Sequence, residues 1–162
     1  AMNFDQAFDK LMGHEGAYSA HPDDPGGETM WGITHDTARR NGYLGDMRAM
    51  PKDTAKQIAK RQYWDAVCAD SMPDAVRFDL FDGAYNSGPK QAIKWLQRAC
   101  YVDDDGVIGS KTLMAANTYD GRAIAARYNG HRLNMMTDLK TWASFGRGWS
   151  KRIAANLIEA KG

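Results

Sequence analysis

Apolar residues recur at helical spacing along most of the chain. Phe4, Ala7, Phe8, Leu11 and Met12 fall at i, i+3, i+4, i+7 and i+8, one face of a helix. Asn3 stands in front as an N-cap, with Gln6 as its capping-box partner. Residues 16–32 then break the period with Pro22, Pro25, Gly26 and Gly27, which predicts loops and a short hairpin. Thr34 caps a short helix ending near Gly42, and Asp53 opens another that runs to about Trp64. Met72-Pro73-Asp74 starts a helix with Val76, Leu80, Phe81 and Ala84 turned inward, ended by Asn86-Ser87-Gly88. Pro89 suits the first turn of the next, which carries Ile93, Leu96 and Cys100. After a turn-rich link with Ser110 as an N-cap, helices are expected at 111–117, 121–139 and 148–160. The sum is a mainly α protein of roughly eight helices, with a small loop and β-hairpin segment near residues 16–33.

Length and composition narrow this further. At 162 residues the chain suggests one domain, 43% hydrophobic and 25% charged, with no internal repeat or low-complexity tract. No apolar run reaches the length of a membrane span. Five Trp and seven Tyr fit core packing or sugar stacking. Two cysteines, Cys68 and Cys100, are too few for a disulfide framework, and free thiols are expected. The net charge of +1 is unevenly spread: −5 over residues 1–30, 0 over 31–120 and +6 over 121–162. An acidic front suits a polar substrate cleft. A basic tail, with Arg147, Lys151, Arg152 and Lys161 around Trp149, Ile153, Leu157 and Ile158, suits either an anionic partner or simple solvation.

The stretch GHEGAYSAHPDDPGGETMWGIT, residues 13–34, concentrates the candidate chemistry. If the first helix extends one more turn, Glu15 lies on its apolar face at its C-terminal end. Burial and the helix dipole would both oppose ionisation there and raise its pKa, as a general acid requires. Nine residues on is Asp24, beside Asp23, and then Thr29. A protonated acid with a second polar group to position water is the arrangement for glycoside cleavage. Asp-Asp-Pro-Gly-Gly is also ordinary turn chemistry. His14, His21, His35 and His131 lack the HExxH spacing of a zinc site, and Asp103-Asp104-Asp105-Gly106 lacks the bidentate Glu of a calcium loop. No metal or cofactor is expected. No phosphate-binding glycine loop and no GxSxG elbow occur, which weakens nucleotide and serine-hydrolase readings.

These residues resemble a known family. His14-Glu15-Gly16-Ala17-Tyr18, then Asp23-Asp24-Pro25-Gly26-Gly27-Glu28-Thr29 and Gly32-Ile33-Thr34, resemble glycoside hydrolase family 108. Phe81-Asp82, Asn86-Ser87-Gly88 and Trp95-Leu96-Gln97 resemble its middle. Asp105-Gly106-Val107-Ile108-Gly109 and Lys111-Thr112-Leu113 resemble its C-terminal predicted peptidoglycan-binding region, and Phe145-Gly146-Arg147-Gly148-Trp149 its ending. Ala17 departs from the second Gly usual in the first motif. The resemblance implies a lysozyme-like fold and an N-acetylmuramidase of a phage or prophage lysis cassette. It implies Glu15 as the catalytic acid and, by analogy with phage-type lysozymes, Asp24 and Thr29 as partners that hold the water or the sugar cation. Tyr18, Trp31, Tyr85 and Asn86 are the expected sugar contacts. The expected division is a catalytic region, 1–88, and a peptidoglycan-binding-like region, 89–162, packed into one unit. The expected partner is peptidoglycan, with the anionic outer envelope as a further surface for the basic tail. A monomer without nucleic-acid binding is expected, made in the host cytoplasm without a signal peptide and acting on the periplasmic wall after release. The rival readings are a lytic transglycosylase, a noncatalytic wall-binding protein and, more distantly, a zinc amidase or peptidase.

Overall fold

A computed structural model describes residues 1–13, 17–20, 22 and 27–160. Eight α-helices and one small sheet carry the described chain. Helix α1, Phe4–Met12, begins with the expected reciprocal capping box between Asn3 and Gln6 and closes with Gly13 as its cap. The extra turn considered for Glu15, and Glu15 itself, lie outside the described residues. Three two-residue strands follow: β1 Tyr18–Ser19, β2 Thr29–Met30 and β3 Ile33–Thr34, antiparallel in that order. Thr34 caps α2, His35–Arg40, as its position predicts. Helix α3, Lys52–Ala59, continues into a π-helical turn, Lys60–Trp64, closed by the Asp65 amide donating to the Lys60 carbonyl at 2.8 Å.

Helix α4, Asp74–Ser87, is the axis of the molecule. Its residues from Phe78 to Tyr85 are all buried, so it has no amphipathic stripe; the other elements pack all around it. Against it lie α5, Pro89–Ala99, and α7, Gly121–Thr137. A side chain at Gly83 would put its Cβ 1.9 Å from the Tyr128 hydroxyl, so glycine there admits α7 at close range. Helix α6, Ser110–Thr118, starts at Ser110 itself with Gly109 as the cap residue, one position earlier than expected. Helix α8, Trp142–Ile158, starts six residues before the expected 148. Gly146 and Gly148 lower local helix propensity by about 1 kcal/mol each, but packing of the surrounding aromatic residues carries the helix through them. The buried core runs from Phe4 to Tyr128 and draws on residues before and after position 88. Phe4, Phe8, Trp64, Phe81 and Tyr85 meet edge to face or tilted at 5.3–5.9 Å. Cys68 and Cys100 are both free thiols, as expected.

The helices are joined at a buried charge cluster. Asp82 on α4 accepts from Arg132 Nη1 of α7 at 2.6 Å, from Arg152 Nε of α8 at 2.6 Å and from Asn156 Nδ2 at 3.0 Å. Asp82 and Arg132 side chains are fully buried. Burial pushes the Asp82 carboxyl up, but Arg132 and Arg152 outweigh it and hold it well below the usual carboxylate range. One turn earlier, Asp79 accepts from Asn129 Nδ2 at 3.2 Å. Burial, and then the Asp82 charge, push its carboxyl up to about 7, against the opposing pull of Asn129, Arg132 and Lys10. Arg152 is thus an internal structural cation, not part of a free basic surface as the tail pattern suggested. Arg147 and Lys151 remain exposed on α8. No helix among the described residues is long and apolar enough to cross a membrane.

Two outcomes follow. Asp82→Ala leaves Arg132 buried without its counter-ion and is expected to cost about 3–5 kcal/mol in urea unfolding. An unchanged midpoint would remove the cluster from any structural role. For Asp79, an ordinary unfolded carboxyl titrates near 4 while the folded one titrates near 7. Between these values the folded state holds the extra proton, so stability falls as pH rises, by at most about 1.4 kcal/mol per pH unit. Asp79→Asn is expected to flatten that part of the stability–pH curve; parallel curves for the two proteins would refute the assignment.

Candidate active site

The register of the small sheet decides what faces outward. Ser19 pairs with Thr29, and Thr29 with Thr34, so three hydroxyl residues form one row across the strands. Tyr18, Met30 and Ile33 form the adjacent row. Because strand side chains alternate, the Met30–Ile33 row turns into the core while the hydroxyl row faces a groove.

The β2–β3 connection is only Trp31-Gly32, with φ of 53° and 75°. Two positive φ values in a two-residue loop match the right-handed twist of the strands. Gly32 takes that conformation freely, but Trp31 does so at a cost of order 1 kcal/mol or more. Three hydrogen bonds hold it there. Its amide donates to the Ala17 carbonyl at 2.7 Å, its indole Nε1 to the Met50 carbonyl at 3.0 Å, and its carbonyl accepts from the Tyr85 hydroxyl at 2.6 Å. Tyr85 is itself packed against Tyr63, from the π-helical turn, at 4.7 Å between ring centres. That turn therefore supports the floor of the groove from below.

A groove of about 500 Å³ lies between this sheet and the C-terminal helices. One wall carries the hydroxyl row with Asn86 and Ser87 from the end of α4. The facing wall carries Met135 and Met136 from α7, Leu139, and Phe145 and Trp149 from α8. Tyr85 and Thr141 add two further hydroxyls to the lining. Among the described lining residues none is an acid or a base, so the groove suits an uncharged, hydroxyl-rich ligand with apolar faces. At the sheet's other row, Tyr18 donates to Glu28 Oε2 at 2.7 Å, while Arg48 covers its ring at 4.1 Å. The bond to Glu28 is the main cause of a raised Tyr18 pKa, helped by partial desolvation and the Glu28 charge.

The structure thus brings together Thr29, Tyr85 and Asn86 of the expected site residues. Tyr18 and Trp31 sit on the same sheet and turn, engaged with Glu28 and Met50, outside the groove lining. Glu15 and Asp24, with the acidic Asp23 and the histidines His14 and His21, lie outside the described residues. Among the described residues no three His, Cys, Asp or Glu side chains gather as a metal-binding group. Ser19, Thr34, Met135, Met136, Leu139, Phe145 and Trp149 are groove residues that the sequence does not mark as such: Thr34 reads as a helix cap, and Phe145 and Trp149 as parts of the family's closing motif and the basic tail. For Phe145 and Trp149 the sequence does carry a signal: Trp142, Phe145 and Trp149 follow i, i+3, i+7, one helix face.

The fold is lysozyme-like. The family described as glycosyl hydrolase 108 matches residues 8–88, and a second family, described as a predicted peptidoglycan domain, matches residues 91–154. The solved structure of Brucella abortus SagA is similar over 96% of this chain and 91% of that one, at 36% identity and a TM-score of 0.89. No curated protein matches the chain. The chain belongs to the glycosyl hydrolase 108 family, and it is a peptidoglycan hydrolase.

The Tyr85 hydroxyl reaches across the groove floor to fix the strained turn. Tyr85→Phe should leave the Trp31 carbonyl without that donor and cost about 1–2 kcal/mol, read by denaturant unfolding. A loss below about 0.3 kcal/mol would show that the turn is held by its other two bonds alone.

Proposed function

We propose that this hydrolase is an N-acetylmuramidase that cleaves the β-1,4 bond between N-acetylmuramic acid and N-acetylglucosamine, and that it acts as an endolysin. Glu15 protonates the glycosidic oxygen as the bond from that oxygen to the anomeric carbon breaks. A water positioned by Asp24 or Thr29 attacks the anomeric carbon and completes the product hydroxyl, releasing its proton to the second group or to solvent. The observation that carries the reading is the groove: a wall of hydroxyl and amide side chains faces an apolar wall, with no charged residue among those described. That is the complement of an N-acetylated glycan. The chain order supports the assignment of the reacting groups. Glu15 precedes the groove residue Ser19 by four positions, and Asp24 precedes the groove residue Thr29 by five. Glu15 also stands in the His-Glu-Gly motif within the matched glycosyl hydrolase region.

The lytic role rests on the same family resemblance. For the basic tail we propose a contact between the exposed Arg147 and Lys151 and an anionic envelope, with Arg152 excluded by its bond to Asp82.

The test is mass spectrometry of fragments released from purified peptidoglycan by the native chain and by Glu15→Gln. The native chain is expected to release saccharides ending in reducing N-acetylmuramic acid. Glu15→Gln should unfold at the native midpoint and be at least about 10²–10⁴-fold slower. Products one water lighter would make the enzyme a transglycosylase, and full activity of the variant would remove Glu15 from the mechanism. Pelleting with the wall without release would leave only a binding protein.

A further inference from the structure

Helix α8 turns three aromatic rings to one side. Trp142, Phe145 and Trp149 lie on a single face. The Phe145 and Trp149 rings stack, with centres 5.8 Å apart and planes 26° from parallel, and Trp142 lies 6.2 Å from Trp149. Gly146 makes this face possible. A Cβ there would come within 2.5 Å of the Trp142 ring, so the ring lies across the helix where any other residue would obstruct it. Glycine costs about 1 kcal/mol in a helix interior, and here that cost accompanies an aromatic surface that is only partly buried. Phe145 and Trp149 line the groove opposite the row of Ser19, Thr29 and Thr34.

Resting on the muramidase reading, we propose that Trp149, backed by Phe145, is a stacking platform for an N-acetylhexosamine ring of the glycan strand. The region matching the peptidoglycan domain then grips its polymer inside the cleavage groove. The chemistry of the two walls fixes the orientation. A hexosamine ring presents C–H bonds on its faces and hydroxyl and acetamide groups around its rim. The C–H face meets the negative face of the indole. The rim groups then point across the groove to the hydroxyl row, where side-chain oxygens both donate and accept. A peptide stem fits this groove less well, because its carboxylates meet no cation among the described lining residues.

The test is steady-state kinetics of the full chain on soluble glycan strands freed of their peptides. Trp149→Ala is expected to raise KM about tenfold, the size of one lost aromatic contact, with kcat within twofold of native. Trp149→Phe should restore most of the affinity. Leu139, 40% exposed on the same wall, provides a second variant that leaves the aromatic packing intact: Leu139→Asp should also raise KM by desolvating a charge against the strand. The outcomes separate the two claims. If the native chain releases no reducing saccharide, the muramidase reading fails. If the native chain is active but Trp149→Ala and Leu139→Asp both keep the native KM, the platform alone is overturned. If Trp149→Ala unfolds, the Leu139→Asp KM decides the case: a raised KM supports the platform wall and an unchanged one refutes it.

Discussion

One carboxylate, Asp82, sets the geometry of the groove. It is buried on the central helix and takes hydrogen bonds from Arg132 on α7 and from Arg152 and Asn156 on α8. Each of these helices reaches the groove about one turn away. On α4, Tyr85 and Asn86 follow Asp82 by three and four residues; on α7, Met135 and Met136 follow Arg132 by the same intervals; on α8, Trp149 precedes Arg152 by three. At 1.5 Å per residue, a bond at the cluster fixes a groove residue roughly 5 Å along each axis. A buried ion pair is a poor source of net stability, since desolvation offsets most of the attraction. Its value here is specificity. Apolar contacts would let α7 and α8 slide against α4, whereas three directional bonds to one carboxylate allow only one arrangement of the walls.

The other wall depends on alternation rather than charge. Strands of two residues bury little and are marginal alone. They persist because Met30 and Ile33 sink into the core and because the Trp31-Gly32 turn is bonded to Ala17, Met50 and Tyr85. The register that buries those two residues also aligns Ser19, Thr29 and Thr34. A slip of one residue would exchange the rows and turn the hydroxyls into the core. The same constraint therefore stabilises the sheet and lines the groove.

Local signals made much of this legible in the sequence. The capping box at Asn3 and Gln6, the Thr34 cap and Pro89 at the head of α5 each act within four residues, and the structure has each of them. What escaped was non-local. Arg152 reads as one more surface cation because nothing near it in the chain reveals a partner 70 residues away. The sequence points to a late start for α8 because two glycines weigh against a helix, while the compensating packing of Trp142 over Gly146 appears only in three dimensions. Thr29 could be read as polar and near a candidate acid, but the row it shares with Ser19 and Thr34 depends on a strand register that spacing alone does not supply. Tyr85 reads in the sequence as an expected sugar contact. In the structure it lines the groove and its hydroxyl also bonds the turn, a supporting role that its position in the chain does not reveal.

The two matched regions meet at residues 88–91 of a continuous chain, yet the groove is not divided there. Gly88, with φ of 90°, ends α4 and begins α5 without a linker, and both helices pack into one core. Residues before this junction supply the hydroxyl wall and residues after it the apolar wall. Neither half alone lines the groove. The two matched regions therefore share one surface, the lining of a single groove. This sharing explains why the most costly polar burial in the molecule is placed between α4, α7 and α8. Asp82 comes from the first region and Arg132, Arg152 and Asn156 from the second, so the cluster ties the two halves of the groove in register.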